Sequence, residues 1–119
     1  MPTLVTKPHV IEADGNLPML IEEYVGRFNT DTPSVSVARV LSPAGRVEEG
    51  KTPEFDEYTL VLMGVLRVES RAGVAEVRTG QALIAKKGEW VRYSTPEEAE
   101  YVAVCVPAFA PRMLNKDKE

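Results

Sequence analysis

The chain has 119 residues, 44% apolar and 27% charged, with a formal net charge of -4. That length fits one small domain that can bury a core without staples. The acidic balance argues against a nucleic-acid partner, because phosphates call for a concentrated basic surface, and Glu89 lies just beyond the densest basic pair, Lys86–Lys87. One cysteine, Cys105, excludes an internal disulfide and suits a reducing compartment. The opening "MPTLVTKPHV" shows no apolar leader, and no run approaches the roughly 18 apolar residues of a membrane span. The expectation is a cytoplasmic, single-domain protein without membrane contact.

Nine prolines and eight glycines cut the chain into short pieces. Residues 1–34 form an N-terminal arm and first strands. "LPMLIEEYVGRF" (17–28) carries Pro18 and Gly26, and it reads as helix or as strand. "SVSVARVL" (34–41) alternates small polar and β-branched residues. "YTLVLMG" (58–64) is a buried-strand run closed by glycine. "VLRVES" (65–70) and "VAEVRT" (74–79) form a hairpin around Arg71–Gly73. "ALIAK" (82–86), "WVRYS" (90–94) and "EYVAVCV" (100–106) complete the series, and a tail from 108 to 119 ends in the charged, frayed "NKDKE". Short strands at regular spacing with turn signals between them predict an all-β sandwich or barrel.

The turn residues around "PEFDEYTLVLMG" (53–64) set a frame. Gly45 is followed by "RVEEG", then Lys51-Thr52-Pro53, "EFD", Glu57, "YTLVLM" and Gly64; further on, Gly80 is followed by "QALIA", Lys86-Lys87-Gly88, "EW", Val91, "RYS" and Thr95. This spacing resembles the two motifs of the cupin superfamily, including the short stretch between them (65–79). Within that superfamily it is similar to small bacterial cupins related to the ethanolamine-utilisation Q protein. The resemblance covers about residues 35–107 and implies a cupin β-barrel, also described as a double-stranded β-helix or jelly roll.

In the family, two histidines and a glutamate of the first motif and one histidine of the second bind a divalent metal inside the barrel. Those positions here hold Lys51, Pro53, Glu57 and Val91, and the chain's one histidine, His9, lies far upstream. Proline and valine carry no donor, and an ammonium repels a cation. The reading is therefore a cupin without metal or other cofactor. An oxygen-ligand site from Glu54, Asp56, Glu57 and Glu22 is the competing metal model, against which alternation counts, since 54, 56 and 57 cannot all face inward.

Alternation points Glu57, Thr59 and Val61 into the barrel, with Val91 and Tyr93 facing them. Glu57 and Lys51 form a candidate acid–base pair for an isomerase- or lyase-type step on a small anionic molecule; otherwise Lys51 lies in a solvent loop and Glu57 in a structural network. Arg39 reaches into the barrel mouth to bind a carboxylate or phosphate, or else turns outward to pair with Glu76 or Glu100. Trp90, Arg92 and Tyr93 line a small-molecule pocket or a dimer interface, unless Trp90 only caps the core. At most one of Glu22 and Glu23 faces inward, and Glu22 is taken as a ligand-binding candidate. Cys105 reads as a core residue, and Phe109 packs over the barrel end or on a second subunit. The predicted ligand is a small molecule, and the resemblance implies a homodimer, since small cupins usually pair through edge strands and apolar rims. The competing function is a non-catalytic sensor.

Overall fold

The computed structural model describes residues 1–117. Its strands are β1 (His9–Ala13), β2 (Met19–Val25), β3 (Ser36–Ser42), β4 (Arg46–Val47), β5 (Asp56–Met63), β6 (Val65–Ser70), β7 (Gly73–Arg78), β8 (Ala82–Ala85), β9 (Val91–Thr95) and β10 (Ala99–Val106). Among the described residues the one helical element is a single 3-10 turn, Pro111–Met113, and no helix is long and apolar enough to cross a membrane.

All strand pairs are antiparallel. A six-stranded sheet runs β1-β2-β3-β10-β5-β8, and a four-stranded sheet runs β4-β9-β6-β7. The two sheets face each other as a barrel, with inward side chains at every second position. On β5 these are Glu57, Thr59 and Val61; on β9 they are Val91, Tyr93 and Thr95. Val40, Leu66, Val68, Val77, Tyr101 and Ala103 complete the principal core.

The ambiguous 17–28 segment is a strand. Its inward positions are Met19, Ile21 and Glu23, and it pairs with β1 and β3. Helix formation loses there because Gly26 sits at φ 155° and turns the chain into a loop, where Glu23 accepts from the Phe28 and Asn29 amides. The frame glycines Gly45, Gly64, Gly80 and Gly88 all adopt positive φ, between 80° and 86°. At Gly64 the requirement is also steric, because a Cβ there would run into the Glu98 carbonyl.

The tail is fastened as far as it is described, which corrects the frayed end expected for 115–117; residues 118 and 119 lie outside the described residues. The Thr52 amide donates to the Leu114 carbonyl at 3.1 Å, Glu54 to Met113 at 2.9 Å, and Asp117 to Gly50 at 2.8 Å. These bonds lay 113–117 alongside 50–54, with one isolated β-bridge between Lys51 and Lys116. Beneath the tail, Phe55, Cys105, Ala110 and Met113 form a second apolar cluster, with Phe109 packed edge-on to Phe55.

Candidate functional site

Between the sheets lies a cavity of about 90 Å³ whose wall is largely aliphatic and aromatic. Polar groups converge on it from three directions: Glu23 from β2, Glu57 from β5 with Tyr93 from β9, and Glu48 with Lys51 from the segment leading into β5. The closure is made by backbone. Lys51 and Val91 exchange both of their N–H···O bonds at 2.9 Å, joining the first motif to the second.

Lys51 is 9% exposed. Its ammonium lies 4.5 Å from the centre of the Tyr93 ring and 3.9 Å from Glu48 Oε1, and it makes no hydrogen bond to any described residue. Glu48 is held from its other side by Arg46 at 3.1 Å. Arg46, itself buried, also donates to the carbonyls of Leu17 and Asp14 and so closes the β1–β2 end of the barrel.

Glu57 is 7% exposed. Burial pushes its carboxyl above the ordinary 4.5, Lys51 pulls it back, and Glu48 adds to the rise. The hydroxyls of Tyr93 and Thr59 lie close enough to favour the charged form, yet neither makes a hydrogen bond of regular geometry. Both are buried without a partner among the described residues. Burial raises the Tyr93 phenol well above 10, with the Glu57 charge adding to it, so it stands protonated as a donor at the cavity wall. Cys105 also borders the cavity, but burial pushes its thiol far up and leaves it inert as a nucleophile.

The sequence-derived candidates divide by strand parity. Glu57, Lys51, Tyr93 and Thr59 turn inward; the first three border the cavity, and Thr59 lies buried behind Glu57. Arg39 is a correction: β3 turns Ser36, Ala38 and Val40 to the cavity, and Arg39 points out, bonded to Glu100 at 2.9 Å and Glu22 at 2.7 Å. Glu22 is corrected with it, since β2 points Glu23 inward instead. Trp90 and Arg92 are likewise outside, because β9 alternation gives the interior to 91, 93 and 95. Trp90 donates to Asp117 and stacks with Arg71, and Arg92 pairs with Glu69. The oxygen-ligand metal model fails geometrically: Glu54 bonds Asn115, Asp56 bonds the Lys87 amide, and Glu22 is on the outer face.

Arg46 and Glu48 escape sequence reading. They lie in a polar stretch of which only two residues form a strand, too short to show periodicity. Their place inside the Gly45–Lys51 segment of the motif is the available signal. At Lys51, Pro53, Glu57 and Val91, one carboxylate beside an ammonium, a proline and a valine do not make a divalent-cation site. No group of three or more His, Cys, Asp or Glu side chains able to hold a metal occurs among the described residues.

No family model matches the chain. Among solved structures, a putative ethanolamine utilization protein Q from Salmonella typhimurium superposes with a TM-score of 0.69 at 17% identity, covering 87% of this chain and 99% of that one. KdgF from Halomonas sp. gives 0.70 at 18% identity over 87% and 93% of the two chains. An RmlC-like cupin from Shewanella frigidimarina gives 0.71 at 11% identity over 85% of each. The chain therefore has the cupin fold, of the RmlC-like, single-barrel kind. In sequence it is 36% identical over 99 residues to Endoribonuclease YbeY of Myxococcus xanthus, a match covering 82% of this chain and 34% of that protein. The chain thus spans about a third of the length of the curated relative it matches.

Proposed function

We propose that the barrel binds a small organic anion and acts on it by proton transfer, without a metal. The observation that carries this reading is the Lys51 ammonium at the cavity wall, on a side chain 11% exposed and with no hydrogen bond to a described residue. An ammonium carries three donors and no acceptor, and an oxyanion in the cavity supplies partners for them. The phenol of Tyr93 offers one more donor on the same wall. A cavity of 90 Å³ accommodates on the order of half a dozen water-sized groups, which limits the ligand to a few carbons with one or two charged oxygens.

Glu57 supplies the chemistry. A carboxyl raised by burial holds its proton nearer to neutral pH than an exposed one, which is the condition for general acid or base work. With the ligand's oxyanion on Lys51, Glu57 takes a proton from an adjacent carbon and returns it at another position, an isomerisation, or releases a leaving group, a lyase step. Its single reduced cysteine suits a cytoplasmic setting.

The test is thermal denaturation against a panel of short mono- and dicarboxylates and neutral isosteres. Anions should stabilise the native chain, and Lys51→Met should abolish the effect. Stabilisation by neutral isosteres alone, or a stoichiometric transition metal in the purified protein, would overturn the reading.

A second reading is a binding module without turnover. It is favoured by the match to one third of a longer protein named as an endoribonuclease, where such a unit would serve as a ligand-sensing part. NMR of a stabilising anion incubated with the protein in D2O separates the two, since deuterium entering carbon requires proton transfer.

A further inference from the structure

One carboxylate at the cavity takes no part in anion binding or proton transfer. Glu23 is 2% exposed, deeper than Glu57. Its Oε2 accepts from the Phe28 amide at 2.9 Å and the Asn29 amide at 3.1 Å, while Oε1 has no hydrogen bond to a described residue. The group is packed onto Gly26, where any Cβ would collide with it. Two amides and a glycine backbone thus fix its orientation at the cavity wall, with one oxygen left to be met.

No cation in the chain meets it. Among the described residues no lysine or arginine forms an ion pair with Glu23. Arg27, close in sequence, donates instead to the carbonyls of Ala108 and Pro33. Arg46 is taken by Glu48 and by the carbonyls of Leu17 and Asp14. A buried carboxylate without a counter-charge is costly, and a cation brought by a ligand relieves that cost.

We infer, on the anion reading of Lys51, that the ligand is a short zwitterion, an amino carboxylate whose ammonium lies on Glu23 while its carboxylate lies on Lys51. The two groups approach the cavity from different sheets. Glu23 stands on β2 of the six-stranded sheet, and Lys51 is bridged to Val91 on β9 of the four-stranded one. A zwitterion spanning them adds no net charge to the barrel, whereas a bare carboxylate leaves Glu23 uncompensated. The 90 Å³ volume holds on the order of half a dozen water-sized groups, about the size of glycine, β-alanine or 4-aminobutyrate.

Thermal denaturation of the full chain with paired ligands tests this: acetate against glycine, propionate against β-alanine, butyrate against 4-aminobutyrate, and propylamine as a cation without carboxylate. At least one amino member should bind about ten-fold more tightly than its plain partner, the value of one charge-assisted hydrogen bond. Glu23→Gln keeps the shape and an amide acceptor, and should erase that advantage while sparing the response to the plain carboxylate. Circular dichroism controls for folding, and if the variant does not fold, the pairs on the native chain decide. Equal stabilisation by amino and plain members, or an advantage that persists in Glu23→Gln, overturns the zwitterion and leaves the anion reading intact. Propylamine as effective as β-alanine also overturns it, since the carboxylate then contributes nothing. No response to any carboxylate, amino or plain, or a response that survives Lys51→Met, removes the anion reading and the zwitterion with it.

Discussion

Replacing Lys51 by methionine should leave the barrel at least as stable as before while removing its response to anions. The ammonium interacts with Glu48 at 3.9 Å, worth about 4 kcal/mol at the effective dielectric near 20 that suits protein sites. Its position over the Tyr93 ring adds about 1 kcal/mol. Against this stands a desolvation cost of several kcal/mol for an ammonium with no hydrogen bond from the described residues. The two sides nearly cancel, and methionine of similar length restores apolar packing. Glu48 does not become an orphan, because Arg46 still holds it at 3.1 Å. The expected change in unfolding free energy is therefore between zero and about +2 kcal/mol, a rise in Tm of up to several degrees for a chain of this size. Ligand binding should fall roughly ten- to a hundred-fold, the value of one or two charge-assisted hydrogen bonds. Urea denaturation gives the first quantity and thermal shift with a stabilising carboxylate the second. A loss of more than about 2 kcal/mol would show that Lys51 is a structural brace, and retained stabilisation by carboxylates would show that it is not their anchor.

Glu57 has a folded-state pKa above its unfolded value of 4.5, so the folded chain binds the extra proton. Stability should be full below 4.5 and fall as pH rises from there through the raised value; Glu57→Gln should flatten that decline, measured by urea midpoints across pH. Gly64→Ala combines a φ of 80° with a clash on the Glu98 carbonyl and should cost at least about 2 kcal/mol of unfolding free energy. Phe55→Ala empties a site that is 2% exposed under the C-terminal tail segment and should cost about 3–5 kcal/mol by chemical denaturation. Arg39→Ala, on the outer face, should leave carboxylate-induced stabilisation unchanged in thermal shift; its loss would mean that Arg39 reaches the ligand after all.

The frame was legible because glycine at fixed spacing reports backbone geometry, and Gly45, Gly64, Gly80 and Gly88 all occupy the left-handed region that such spacing demands. Inward Glu57, Thr59 and Tyr93 followed from counting by two along strands anchored at those glycines. Where no glycine fixed the phase, parity was open. β2 is half-buried on both faces, so Glu22 and Glu23 could not be told apart until pairing with β3 set them. Arg39 kept an inward and an outward reading for the same reason, and its bond to Glu100 selects the outward one: the outer face around it is itself apolar, so neither side of β3 advertised the interior. Arg46, Glu48 and the docking of 113–117 depend on contacts between distant segments, which periodicity does not encode.

The bonds between Lys51 and Val91 are made wholly by main-chain atoms, so the join between the two motif segments does not depend on a contact between those two side chains. Either side chain can therefore be exchanged for one that fits the same space without breaking the join, which confines the constraint at Val91, 3% exposed in the core, to apolar volume.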